Sequence, residues 1–168
     1  RYLVGRWEKV ARAMHEHYQL PEDAKILDVG CGKGFMLYDF TKVLPNAEVH
    51  GIDVSAYAIE NSKEEIRGQI KEGRAESLPW PDDYFDLVYS LNTFHNLHAY
   101  ELEPALREFE RVGKQHKYIC VESYRNEQEK ANLLYWQVTC EGFNTPEEWE
   151  WWFNLTGYNG DHSFIYFE

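Results

Sequence analysis

Three glycines at alternate positions, Gly30, Gly32 and Gly34, follow the apolar run Ile26–Val29 in the segment Ile26-Leu-Asp-Val-Gly-Cys-Gly-Lys-Gly-Phe35. Glycines at the exit of a strand mark backbone that turns through left-handed conformations or passes close to another group. The segment is therefore the turn of a strand–turn–helix unit, and the first question is what it approaches. A dinucleotide fingerprint, G-x-G-x-x-G, needs a third glycine three residues after the second. Counted from Gly30 and Gly32 that position is Phe35, and counted from Gly32 and Gly34 it is Leu37. Neither register fits.

Hydrophobic periodicity orders the rest of the chain. Trp7, Val10, Ala11, Met14 and Tyr18 have the spacing of one helix face, which predicts a lead helix over Trp7–Tyr18. Lys25–Val29 is a strand, Phe35–Leu44 a helix stopped at Pro45-Asn46, and Ala47–Ile52 a second strand ending in Asp53. Ser55 is placed to N-cap a helix running to about Arg67. A third strand is expected over Gln69–Ala75, a turn at Asp82-Asp83 and a buried strand over Phe85–Ser90. Then come a helix over Tyr100–Val112 ended by Gly113, a strand over Lys117–Glu122 and a helix over Asn126–Trp136. Thr145 and Glu148 form a capping box, with Pro146 at the first position of a helix over Thr145–Thr156, and Phe164–Glu168 is the last strand. Alternation of this kind predicts one doubly wound α/β domain over residues 1–168, with ligands beyond the carboxyl ends of the strands.

Composition narrows the function. Hydrophobic residues make up 43 % and aromatics 16 %, which is globular, and no run approaches the roughly 20 apolar residues of a membrane span. No signal-peptide pattern opens the sequence, and the odd set Cys31, Cys120 and Cys140 has no C-x-x-C, so a cytoplasmic protein without disulfides or zinc is expected. Net charge is −12, and residues 61–168 hold 20 acids against 10 Lys plus Arg. Such a surface repels nucleic acid.

Four segments in order give the chain a family likeness. Asp28-Val-Gly-Cys-Gly-Lys-Gly34, Val49-His-Gly-Ile-Asp-Val-Ser55, Gly73-Arg-Ala-Glu-Ser-Leu-Pro-Trp80 and Phe85-Asp-Leu-Val-Tyr-Ser-Leu91 resemble the motifs of class I S-adenosylmethionine (SAM)-dependent methyltransferases. Asn92 with His95-Asn-Leu97 resembles an Asn…His-x-Leu pattern of their small-molecule, ubiquinone-biosynthesis-like branch. The resemblance implies a mainly parallel seven-stranded-type sheet with helices on both faces and an antiparallel C-terminal strand. It implies SAM as cofactor and S-adenosylhomocysteine (SAH) as product. SAM carries a sulfonium and an ammonium instead of a pyrophosphate, which suits an acidic loop rather than a phosphate cradle.

On the same resemblance Asp28 lies under the SAM amino group, Gly30, Gly32 and Gly34 let the backbone approach the methionyl part, and Asp53 accepts both ribose hydroxyls. Relatives often have Asp where Arg74 stands, and arginine cannot accept a hydrogen bond. Ala75 N–H and Glu76 are the candidates for adenine, Glu76 being equally readable as a helix cap, and Ser90 closes the cofactor set. Over the mouth runs Ser90-Leu-Asn-Thr-Phe-His-Asn-Leu-His98. His95 is the candidate general base, with packing at a helix start as the even alternative. Glu122 and Tyr124, after the fifth strand, are candidates for binding or deprotonating substrate, beside an equal structural reading. Trp149, Trp152 and Phe153 share a helix face and are expected to cover the sheet. No metal site is expected.

Two functions follow as expectations. One is methyl transfer by in-line displacement to a small polar metabolite, at oxygen, by a monomer or homodimer. The other is an inactive SAM-binding module that serves as a partner or regulator.

Overall fold

The computed structural model describes residues 2–168. Six strands form one sheet in the order β3-β2-β1-β4-β5-β6. They are β1 (Lys25–Val29), β2 (Glu48–Asp53), β3 (Ile70–Glu72), β4 (Phe85–Leu91), β5 (Gly113–Glu122) and β6 (Asp161–Ile165). The helices are α1 (Glu8–Tyr18), α2 (Phe35–Val43), α3 (Ala56–Glu60), α4 (Glu64–Arg67), α5 (Ala99–Val112), α6 (Glu127–Trp136) and α7 (Pro146–Thr156). Chain order reverses direction across the sheet between β1 and β4, so the loops after these two strands splay apart and leave a crevice.

Strand alternation sends side chains to two cores. Ile26, Leu87 and Tyr89 join the core under α1 and α2. Leu27, Val29, Val88, Ile119 and Val121 join the one under α5 and α7. Phe85 and Val88 share a core although three residues apart, and the β4–β5 register is irregular over the same step, two residues from Phe85 to Leu87 facing three from Gly113 to His116.

The sequence-based expectation of seven strands with an antiparallel last one is corrected here. Among the described residues there are six strands, and all five pairings are parallel. An antiparallel neighbour of β5 needs only a hairpin, whereas a parallel one needs a crossover. Helix α7 supplies that crossover: Trp149 and Phe153 bury in the β5 core, and Gly157 ends the helix at φ +75°. The chain then enters β6 alongside Tyr118, which places the strand at 161–165 rather than 164–168.

The expected helix caps are present. The Ser55 side chain accepts the Ala58 N–H at 3.1 Å, although the helix it caps stops at Glu60 and resumes as α4. Thr145 and Glu148 form the expected capping box, with Pro146 at the helix start. On α7, Trp149 is fully buried and Trp151 is 58 % exposed.

Candidate active site

The three glycines all have positive φ, and their surroundings divide them into two kinds. A Cβ on Gly30 would overlap the Thr93 side chain from the loop after β4, and one on Gly34 would overlap Ile66 and Ile70. Around Gly32 there is open space. Gly30 and Gly34 therefore let protein approach protein at the crevice, and Gly32 leaves a bare face. The Gly30 and Cys31 N–H groups both donate to the Ile52 carbonyl, tying the loop to β2.

Asp53 ends β2 and holds this loop. Its Oδ2 accepts the Gly32 N–H at 2.7 Å and its Oδ1 the Ser55 N–H at 2.9 Å. A carboxylate has about four lone-pair sites, so both oxygens keep capacity for a ligand. Asp53 lines a cavity of about 430 Å³ with Gly30, Val54, Ala75, Glu76 and Thr93. Here Arg74 donates to Glu76 and to Glu101, which closes the outer rim with an ion triad. Glu101 also caps α5 through the His98 N–H. Sequence reasoning did not find Glu101, because it reaches the rim from an element 27 residues beyond Arg74.

A second cavity, about 210 Å³, adjoins the first through Gly30 and Asn92 and is lined by Asp28, Cys31, Phe35 and Trp7. Asp28 is 5 % exposed. Burial pushes its carboxyl up to about 8, the Tyr89 hydroxyl beside it opposes the rise, and the Asp53 charge adds to it. A buried acid of this kind is electrostatically incomplete and favours a cation in the cavity.

The remaining sequence candidates are placed elsewhere. The Ser90 hydroxyl donates to the Val29 carbonyl at 2.8 Å inside the sheet. His95 is 1 % exposed and sits on a 3-10 turn at 94–96, beneath the 137–142 segment. Its Nδ1 accepts the Glu122 N–H at 3.2 Å, which puts the ring proton on Nε2, 3.4 Å from Glu122 Oε2. Burial lowers the imidazole to about 4 and raises the Glu122 carboxyl to about 7, against a hydrogen bond from Gln137. Both groups are thus held near neutrality against each other. The backbone of His95 accepts the N–H groups of Glu141 and Gly142, which completes the cover. Tyr124 lies half-buried with the Lys130 ammonium over its ring. His95, Glu122 and Tyr124 line neither cavity.

A two-sided parallel sheet, a glycine loop at its switch point, an acid ending the neighbouring strand and a two-lobed cavity between them define a Rossmann-like α/β protein. A family model described as a methyltransferase domain matches residues 20–157. The sequence is 32 % identical to the uncharacterized methyltransferase YcgJ of Bacillus subtilis, over 74 % of this chain and 47 % of that protein. It is also 32 % identical to the sterol 24-C-methyltransferase erg-4 of Neurospora crassa, over 68 % of this chain and 32 % of that one. The crystal structure of YcgJ superimposes with a TM-score of 0.70 at 22 % identity, covering 88 % of this chain and 68 % of the other. The chain belongs to the class I SAM-dependent methyltransferase family. It spans about a third to a half of the length of these two relatives.

Proposed function

We propose that this chain binds SAM in the two-lobed cavity and transfers its methyl group to a small molecule, at oxygen. The observation that carries the reading is the pairing of the two lobes. One has the ribose-type acid Asp53 with a rim of backbone and carboxylates, and the other has the buried Asp28 waiting for a cation. They adjoin at Gly30 and Asn92, which line both. SAM has the same polarity along its length, with a neutral nucleoside at one end and an ammonium at the other.

SAM, when bound, supplies an already activated methyl group. The chain's residues orient it: Asp53 accepts ribose hydroxyls while it holds the glycine loop, and Asp28 faces the ammonium. Orientation of this kind is worth about 7–11 kcal/mol of barrier. Glu76 and Glu101, steadied by Arg74, offer acceptors at the adenine end in place of the missing Asp. The sealed His95–Glu122 pair fits a positioning role better than that of a base, because the Nδ1 lone pair of His95 is occupied. The acceptor hydroxyl then loses its proton to water as its oxygen takes the methyl group, in what we read as a cytoplasmic enzyme acting as monomer or homodimer. Relatives named for sterol and demethylmenaquinone methylation show how widely acceptors vary among similar chains.

The alternative, binding without turnover, draws on the absence of His95, Glu122 and Tyr124 from the cavity walls. Calorimetric titration with SAM and SAH separates the readings. Both ligands are expected to bind. Asp53→Ala is expected to weaken each at least tenfold, since hydrogen bonds to a charged group contribute about 1.5–3 kcal/mol. No binding of either ligand overturns the proposal, and binding with no methyl transfer to any acceptor favours the module.

A further inference from the structure

A third cavity, of about 720 Å³, is larger than either cofactor lobe and lies between α1 and the open face of β4, β5 and β6. Val10 and Met14 of α1, Leu91 of β4, Tyr118 and Cys120 of β5 and Ile165 of β6 form its walls. Two of the hydroxyls among its walls are spent within the protein. The Tyr18 hydroxyl donates to Asp161 at 2.9 Å, and the Tyr118 hydroxyl pairs with Ser163 at 2.6 Å. Most of what remains facing the cavity is hydrocarbon and aromatic ring, with the Cys120 thiol, the His17 and His162 imidazoles and the Asn92 carboxamide as the polar groups beside it. Asp161 is two rungs down the β5–β6 ladder from the level of Leu91, because Tyr118 faces Asp161 whereas Cys120 faces Leu91.

This cavity is continuous with the cofactor site. Trp7, Leu91 and Asn92 line both it and the Asp28 lobe, and Asn92 also lines the Asp53 lobe. Asn92 is thus where all three spaces meet. Its backbone is left-handed, at φ +59°, and is held there by its N–H to the Cys120 carbonyl at 2.9 Å and by the Asn96 side chain on its own carbonyl at 3.1 Å. Its carboxamide makes no hydrogen bond among the described residues, so it is free to meet a ligand. Backbone strain of this kind collects at functional sites, and asparagine tolerates it better than most residues.

We infer that this third cavity holds the methyl acceptor, and that the acceptor is a flat, mainly apolar molecule presenting one hydroxyl at Asn92. The inference rests on the SAM reading above. The volume suits roughly two or three fused rings. A sugar would leave the hydroxyls that face Val10, Met14, Leu91 and Ile165 unpaired, at a cost of about 1–3 kcal/mol for each. This differs from the polar metabolite expected from sequence. At Asn92 the hydroxyl oxygen forms the new bond to the methyl carbon, and the C–S pair returns to sulfur to give SAH. The hydroxyl proton passes to water at the cavity's open side. The Asn92 carboxamide orients the oxygen and does not take the proton.

The probe is 2-naphthol, titrated into the full chain saturated with SAH. Binding is expected, with at least a tenfold loss in Ala13→Trp, a substitution at an exposed α1 position that fills the cavity, and no change in SAH affinity. Asn92→Gly keeps the left-handed backbone, removes the carboxamide and is expected to weaken naphthol several-fold. If SAH binds but naphthol does not, or binds Ala13→Trp equally well, the acceptor assignment is overturned and the cofactor site stands. Saturable glucose binding that Ala13→Trp abolishes overturns the apolar class. Failure of SAH itself to bind overturns the cofactor reading and the acceptor role with it.

Discussion

Gly30 and Gly32 stand two residues apart in one loop, both with positive φ, and they answer to different physics. Gly30 is pinned by contact with Thr93, whereas Gly32 has room for a side chain. Gly32→Ala is expected to cost about 1–2 kcal/mol of backbone strain. Gly30→Ala must also displace the loop after β4 and is expected to cost more, so a thermal melt with the larger drop for Gly32→Ala would sink this account. Asp28 makes a second test. With its carboxyl raised to about 8 by burial, it is protonated in the empty chain below that pH. A cationic ligand needs the carboxylate, so binding releases the proton. SAM affinity is expected to rise up to about tenfold per pH unit between 6 and 8 and to level off above. Asp28→Asn should bind more weakly with a flat pH profile, and an unchanged profile would mean that Asp28 does not face the ammonium.

Helix α7 and strand β6 show how one element sets another. Trp149 is fully buried, and its indole N–H donates to the Glu122 carbonyl at 3.1 Å, at the end of β5. That contact fixes α7 over the sheet and brings β6 in parallel to β5. Trp149→Ala is expected to cost about 3–5 kcal/mol by cavity formation, and Trp149→Phe less, since only the hydrogen bond and part of the ring are lost. Chemical denaturation measures both. Equal losses would mean that packing of the ring contributes little. The caps of α3 and α7 were legible from Ser55 and from Thr145–Glu148 because a cap depends on residues three apart. The direction of β6 was not legible, because it depends on where α7 docks.

For the molecule as a whole, buried titratable groups set the pH dependence of stability. Burial raises Asp28 to about 8 and Glu122 to about 7, so each favours folding in its protonated form. That stability is complete below the unfolded carboxyl range and is lost as pH rises through the two folded values. Burial lowers His95 to about 4, which works the other way: its contribution is complete above the ordinary histidine range and is lost as pH falls toward 4. From about pH 5 to 6.5 the two acids outweigh the one histidine, and from 6.5 to 8 the acids act alone. The melting temperature is therefore expected to fall from pH 5 to 8 and to flatten beyond. Asp86 and Glu108, held below the usual range by Lys114 and Arg111, add stability that is lost on the acid side. A melting temperature that climbs steadily from pH 5 to 8 would contradict the burial of both acids.

At this scale the division between chain and fold becomes plain. Short-range pattern alone located most of the helices and strands, the glycine turn, the acid at Asp53 and the exclusion of a dinucleotide register, since each depends on residues within a few positions of one another. Only the tertiary structure decided that Glu101 closes the rim, that His95 is sealed against Glu122, that Asn92 stands where three cavities meet and that β6 runs parallel. Each of these is a contact between side chains or strands more than twenty residues apart. Whether such groups meet is settled by which faces bury together, a property of the packed sheet and not of any one segment.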